Sequence, residues 1–411
     1  MENNQQLVKR LRQGYLQYVY PQRDRGPNQI VLKMTNACNL RCIYCYSNAG
    51  NHKRTKMISA DMVVDFFDQY FDCFNNTNVN CTFHGGEPLL AVEVSEEIIN
   101  RIKAKYYASR VFYSIQTNAT LINDKNITFL KSNFKNVGIS LDGVGEVQNL
   151  TRPTFDRASS FELLKRGIDV LHENKIQCGA LIVATKYNQD SLLDTIKWCV
   201  QNGIYGVGIE MVFQGGRATT EMEFSPKVYY KCIEDILYWQ IDYNLHSEKK
   251  FYLRDFQTVA EKIVCQTQGH MCAAIPCGAG KDEISIDFDG NVYVCDTFYG
   301  IPEYRMGNLY QDKLADICKS VVVEKMKGRR LEDTPICNQC KLNSICIIGC
   351  PIRNIIINDA EIITINNQRF LCEYYGALAS TMYRLLTVDK LSPELFFNTD
   401  GRVLNYVSLD I

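Results

Sequence analysis

Short apolar runs alternate with amphipathic ones along the first half of the chain. The runs "QIVLKMT" (29–35), "VNCTFHG" (79–85), "VFYSIQT" (111–117), "NVGISLD" (136–142), "CGALIVAT" (178–185) and "GVGIEMVF" (206–213) are apolar on both alternating faces. That is the pattern of strands in a parallel sheet covered on both sides. Between them lie segments with apolar residues at helical spacing, such as "SADMVVDFFDQYF" (59–71) and "SSFELLKRGIDVLHENK" (159–175). Ser59 opens the first of these as an N-cap. The alternation predicts a parallel α/β architecture. Six such units fall short of the eight in a closed barrel. An open partial barrel and a doubly wound sheet both satisfy the pattern.

Past residue 215 the pattern changes. Residues 220–268 read as helical and aromatic. From 270 the chain is rich in Cys and Gly, and "EISIDFDGNVYVC" (283–295) reads as a hairpin turning at Asp289–Gly290. "LCEYYGALASTMYRLL" (371–386) reads as a helix. The expected division is an N-terminal extension over 1–28, the α/β unit over 29–250, a small Cys-rich domain over 270–386 and a C-terminal tail over 387–411.

Composition narrows the reading. With 411 residues the chain is long enough for two domains and a sizeable core. Lys plus Arg is 45 and Asp plus Glu is 46, a net charge of −1, which gives no electrostatic case for nucleic acid or an anionic membrane. No apolar stretch is long enough to span a bilayer, and "MENNQQLVKR" has no signal-peptide core. A cytoplasmic location is expected. In a reducing compartment the 18 cysteines do not read as a disulfide framework. Cys38, Cys42 and Cys45 form one cluster, and Cys272, Cys277, Cys295, Cys337, Cys340, Cys346, Cys350 and Cys372 form another. The remaining seven are scattered, and most of them read as small buried hydrophobes.

The polar residues gather where ligands bind in such folds, at the carboxyl ends of strands. The triplet follows strand one, "HGGEP" (84–88) strand two, "QTN" (116–118) strand three and "SLDG" (140–143) strand four. Gly85 and Gly86 are read as letting a ligand approach bare backbone. Three thiols are too few for a structural zinc site, which takes four ligands. Three thiolates on a metal cluster leave one metal position open for chemistry.

"CNLRCIYCY", "FHGGEPLL", "QTNATLI" and "GISLDG" together resemble the radical S-adenosylmethionine (SAM) superfamily over residues 29–215. The resemblance implies a partial (β/α)6 barrel, a 4Fe–4S cluster on Cys38, Cys42 and Cys45, and SAM on its fourth iron. It further implies that Tyr44 lies against the adenine and that Gly86 and Glu87 meet the methionine amino group. Ser140 and Arg152 stand twelve residues apart, as in the sulfatase-maturing branch, where both contact SAM. A backbone contact is expected near "IEMVF" (209–213).

The second cysteine group, with Gly290 between Cys277 and Cys295, resembles the SPASM domain. Zinc is the alternative for a lone "CNQC", since that spacing suits both. The resemblance implies two auxiliary 4Fe–4S clusters, one on Cys272, Cys277, Cys295 and Cys350, the other on Cys337, Cys340, Cys346 and Cys372. It implies a peptide or protein substrate, an electron donor of the flavodoxin or ferredoxin type, and Asp296 as the proposed catalytic base. Two outcomes compete, crosslinking of a ribosomally made peptide and oxidation of a sulfatase Cys or Ser to formylglycine. A non-catalytic electron-transfer protein is the third. The 37 residues before Cys38 are too few for a leader-binding winged helix. Sulfatase maturases usually carry Phe-Tyr after the triplet and Asp-Phe-Tyr at the base, where this chain has Tyr46-Ser47 and Asp296-Thr297-Phe298. These departures favour a peptide maturase.

Overall fold

The computed structural model describes residues 25–51, 54–75, 78–106, 110–134, 136–265, 271–274, 276–328, 337, 339–345, 350, 352, 355–358, 361–364 and 372–397. Cys346 lies outside the described residues, as do most of the expected N-terminal extension and positions 398–411.

All six predicted strands form: β1 (Gln29–Lys33), β2 (Val79–His84), β3 (Val111–Thr117), β4 (Asn136–Ser140), β5 (Gln177–Ala184) and β6 (Gly206–Met211). Each pairs in parallel with the next in chain order. Their double-sided pattern is explained by burial on both faces: Ile30 and Leu32 are buried on one side of β1 and Val31 and Lys33 on the other, as are Phe83 and Thr82 of β2. The helix Ala60–Cys73 starts as predicted, with the Ser59 side chain accepting from the Met62 backbone N–H. Ser159 caps Ser160–Glu173 in the same way through the Glu162 N–H. Each cap satisfies an amide that the first helical turn leaves without a partner.

The sheet is longer than the six-strand pattern suggests. β7 (Tyr252–Leu253) adds in parallel to β6. On the other side β8 (Glu283–Ile286) pairs in parallel with β1, and β9 (Asn291–Tyr293) and β10 (Arg305–Asn308) follow antiparallel. The order is β10-β9-β8-β1-β2-β3-β4-β5-β6-β7, an open sheet and not a closed barrel. The turn between β8 and β9 falls at the predicted place. Asp287 Oδ1 accepts from the N–H groups of Asp289 and Asn291, and Gly290 takes a positive φ of 79°. The cysteine-rich region therefore continues the barrel sheet and delivers the residues after β9 to the flank of β1.

The predicted 371–386 helix is present as Ala377–Tyr383, widened to π-type turns at Cys372–Gly376 and Arg384–Val388. It lies on the helix Pro226–His246, where Tyr374 meets Tyr229 with ring centroids 4.7 Å apart and Thr381 Oγ1 is 2.8 Å from the Tyr230 hydroxyl. Leu395, Phe396 and Phe397, in the expected tail, are buried against the same helix. The Leu395 carbonyl accepts from Gln240 and Asn244. Among the described residues no helix is long and apolar enough to cross a membrane.

Candidate active site

The loop after β1 carries Cys38, Cys42 and Cys45, each half-buried. Backbone bonds hold it: Gly86 N–H to Thr35 O at 2.8 Å and Glu87 N–H to Ala37 O at 2.9 Å. A Cβ on Gly86 would lie 1.9 Å from the Ala37 carbonyl oxygen, so only glycine fits. The side-chain direction of Gly86 is thus filled by the cysteine loop, which gives the glycine a packing reason of its own. From the far side of the sheet the loop after β6 reaches in. Arg217 donates to the carbonyls of Cys42 (2.8 Å) and Ala49 (2.9 Å), and its own N–H bonds the Cys45 carbonyl. Around the thiols, Arg152 NH1 is 3.8 Å from Cys42 Sγ, Asn118 Nδ2 is 4.0 Å from Cys38 Sγ and Ser47 Oγ is 3.3 Å from Cys45 Sγ. Burial pushes the Cys42 thiol up to about 11, with Arg152 working against it. Metal binding removes such a proton outright.

Asp142, fully buried, organises the next layer. It takes Arg152 Nε at 3.0 Å and Arg152 NH2 at 3.2 Å, the Val183 N–H at 3.0 Å, and the Tyr44 hydroxyl. The Arg152 guanidinium also lies 5.3 Å from the centre of the Tyr44 ring. Tyr44 packs against Val212 and Ala218 just beyond β6, beside the expected strand-six contact. Ser140 Oγ accepts from Gln116 Nε2 at 2.9 Å. The other amide atom, Gln116 Oε1, is buried without a hydrogen-bond partner.

The Glu87 side chain faces inward to β3. It accepts from Thr117 Oγ1 (2.7 Å), the Asn118 N–H (2.8 Å) and the Leu89 N–H (3.0 Å). A contact of this residue with a ligand is thereby left to its backbone. Burial raises its carboxyl from 4.5 to about 6, although all three bonds work the other way. The folded protein thus holds an extra proton between those two values. Stability falls as pH rises through that window, by about 2 kcal/mol from this group. Glu87→Gln removes that component, so urea midpoints of the two proteins diverge as the pH is raised. Parallel pH profiles would refute the assignment.

Asp296 reaches the carboxyl ends of β1 and β2 from the segment after β9. Its carboxylate pairs with the Lys33 ammonium through Oδ1 and accepts from the Tyr46 hydroxyl at 2.6 Å through Oδ2. Burial opposes its charge, yet Lys33 and Tyr46 hold it down to about 2. Its N–H bonds Glu283 Oε1. Burial lowers His84, the residue before the glycine pair, to about 4.

The later cysteines fall into two neighbourhoods. Burial pushes the Cys295 thiol up, and Cys350, Cys272 and Cys277 are among its electrostatic neighbours. Cys372 has Cys337 and Cys340 as its neighbours. Among the described residues no three Cys, His, Asp or Glu side chains converge on a single-ion site. A cluster asks less convergence, since each thiolate meets a different iron.

Comparison with known proteins settles the family. A radical SAM superfamily model matches residues 32–199 and the SPASM model, an iron-sulfur cluster-binding domain, matches 277–341. The chain belongs to the radical SAM superfamily. Its relatives include the cysteine-type anaerobic sulfatase-maturating enzyme of Clostridium novyi (strain NT), 27% identical over 79% of this chain and 87% of that protein. The serine-type enzyme of Bacteroides thetaiotaomicron is 25% identical over 79% and 83%. In fold, the chain matches anSMEcpe with bound AdoMet at a TM-score of 0.75, 20% identity, 90% of this chain and 99% of that one. It matches Streptococcus suis SuiB bound to precursor peptide SuiA at 0.58, 17% identity, 80% and 72%. The chain thus carries a radical SAM domain followed by a SPASM domain, and both imply iron–sulfur clusters.

The sites fit such groups. The triplet is gathered on a braced loop, and the unpartnered Gln116 Oε1 beside Ser140 awaits a donor such as a polar ligand carries. Sequence reasoning missed Gln116, Asp142, Lys33, Tyr46 and His84. The signal for Lys33 was a lone charge ending an apolar strand; Tyr46 and His84 stand inside the quoted "CNLRCIYCY" and "HGGEP" without a role assigned to them.

Proposed function

We propose that this radical SAM protein modifies the side chains of a ribosomally made peptide, installing a thioether or an aromatic carbon–carbon or carbon–oxygen crosslink. Eleven clustered cysteines support three 4Fe–4S clusters, one on Cys38, Cys42 and Cys45 with SAM, and two on the later eight. When bound, these groups supply a 5′-deoxyadenosyl radical that takes a hydrogen atom from carbon, and a sink for the electron left behind. The protein's own part is to hold and to deprotonate. Gly86 and Glu87 through their backbone, Ser140, Gln116, Arg152 and Tyr44 form the candidate cradle for SAM. The Arg152–Asp142 pair fixes the cationic side of that cradle against the cysteine loop. Asp296 is the candidate acceptor for the proton lost as the crosslink closes. Reducing equivalents come from a flavodoxin- or ferredoxin-type donor.

The observation that carries this reading is the delivery of Asp296, from the cysteine-rich region, to the strand ends beside the triplet loop. Sulfatase maturation is the second reading, favoured by the named relatives. Tyr46, where those enzymes usually have Phe, binds Asp296 directly and so distinguishes this site. Anaerobic co-expression with each short peptide encoded beside the gene, followed by mass spectrometry, separates the two. A peptide lighter by two hydrogens, whose proteolytic fragments stay joined, supports crosslinking. An aldehyde that forms a hydrazone, on a sulfatase-derived peptide alone, overturns it.

A further inference from the structure

Lys33 is the last residue of β1 and is 1% exposed, the only lysine ending one of the six barrel strands. A buried ammonium is costly unless its charge and its three N–H groups are matched. Here the ammonium ion-pairs with Asp296 Oδ1, donates to the Tyr46 hydroxyl oxygen at 2.5 Å and lies 3.4 Å from His84 Nδ1. His84 Nδ1 accepts from the Gly85 N–H at 2.7 Å, so its ring proton sits on Nε2 and the imidazole is neutral. The rings of Tyr46 and Tyr299 flank the cation, with centroids 4.8 and 5.0 Å from Nζ. Tyr46 closes the set by donating to Asp296 Oδ2. The carboxylate is thus gripped on one oxygen by the barrel's first strand and on the other by the cysteine loop.

We propose that Lys33 is a positioning residue, whose ammonium pins Asp296 and Tyr46 in one orientation and so couples hydrogen abstraction to product formation. No other cation is paired with Asp296 among the described residues. The segment after β9 is anchored by backbone bonds of Val294 to Tyr304 and Gly280 and by the Asp296 N–H to Glu283, which place its main chain but leave the carboxylate to be aimed by Lys33 and Tyr46. The coupling part of this inference rests on the reading of Asp296 as the base. The pinning part does not.

The two parts have separate tests. Full-length reconstituted protein is treated with a carbodiimide and glycine methyl ester, and labelling of Asp296 is followed by mass spectrometry, with no peptide present. Asp296 is expected to be protected in the wild type and in Lys33→Arg, and labelled about tenfold or more faster in Lys33→Met. Equal labelling of wild type and Lys33→Met overturns the pinning. If Lys33→Met does not fold, Lys33→Gln takes its place with the same outcomes. With a peptide identified by co-expression, modified peptide per 5′-deoxyadenosine falls about tenfold in Lys33→Met and recovers in part in Lys33→Arg. A ratio that stays constant while both products fall together overturns the coupling, as a merely structural role predicts. Should Asp296→Asn modify peptide at the wild-type rate, the base reading fails and the coupling with it, while the labelling result still decides the pinning.

Discussion

Replacing Cys38, Cys42 and Cys45 together by alanine is expected to abolish release of 5′-deoxyadenosine. The fold around the loop does not depend on the three sulfurs. Its backbone is held by Gly86, Glu87 and Arg217 through main-chain carbonyls, and those bonds persist when the thiols are gone. The variant should therefore keep its circular dichroism. It should lose about four irons of about twelve, one cluster's share, because the later cysteines lie in neighbourhoods of their own. Iron analysis of anaerobically reconstituted protein, with chromatography of the SAM products after chemical reduction, checks both numbers. Cleavage that survives the triple substitution removes the triplet from the chemistry. Stoichiometric zinc with little iron in the wild type removes the cluster assignment altogether.

How far the sequence carried this reading differs from element to element. The six barrel strands were legible because burial on both faces leaves a local mark, a run of Ile, Val, Leu and Phe that needs no knowledge of neighbours. The pairing of β8 with β1 was not. "EISIDFDGNVYVC" reads as an independent hairpin, and its docking depends on the open edge of a strand 254 residues away. β7 is two residues long, too short to show any period. The site divides in the same way. Cysteine spacing and the twelve-residue offset of Ser140 and Arg152 are local facts. The partner of Arg152 is Asp142, which stands in the quoted "SLDG" but gained its meaning only when the cysteine loop brought Tyr44 to it. Gly86 was legible as a residue type, but the atom that excludes a side chain there, the Ala37 carbonyl, was not. Residues that act through long-range convergence have no period and no fixed spacing, so sequence pattern alone does not rank them.

Asp296→Asn is expected to lower modified peptide by a factor of about 10² or more while 5′-deoxyadenosine formation falls far less. An ion-paired carboxylate held at about 2 is a weak base. Yet once a hydrogen atom and an electron have left the substrate, the remaining proton is strongly acidic, and placement counts for more than basicity. The amide keeps the shape and removes the acceptor. It also strips the counter-charge from Lys33, which is buried, and an unpaired buried charge costs about 3–5 kcal/mol. A fall in product from the single variant therefore mixes lost chemistry with lost stability. Lys33→Met combined with Asp296→Asn separates them, because it removes both charges at once. The double variant should unfold at a higher urea concentration than Asp296→Asn alone, and still form about as little modified peptide. If stability and modification return together, Asp296 serves only to neutralise Lys33. If stability returns and modification stays well below that of Lys33→Met alone, the carboxylate takes the proton.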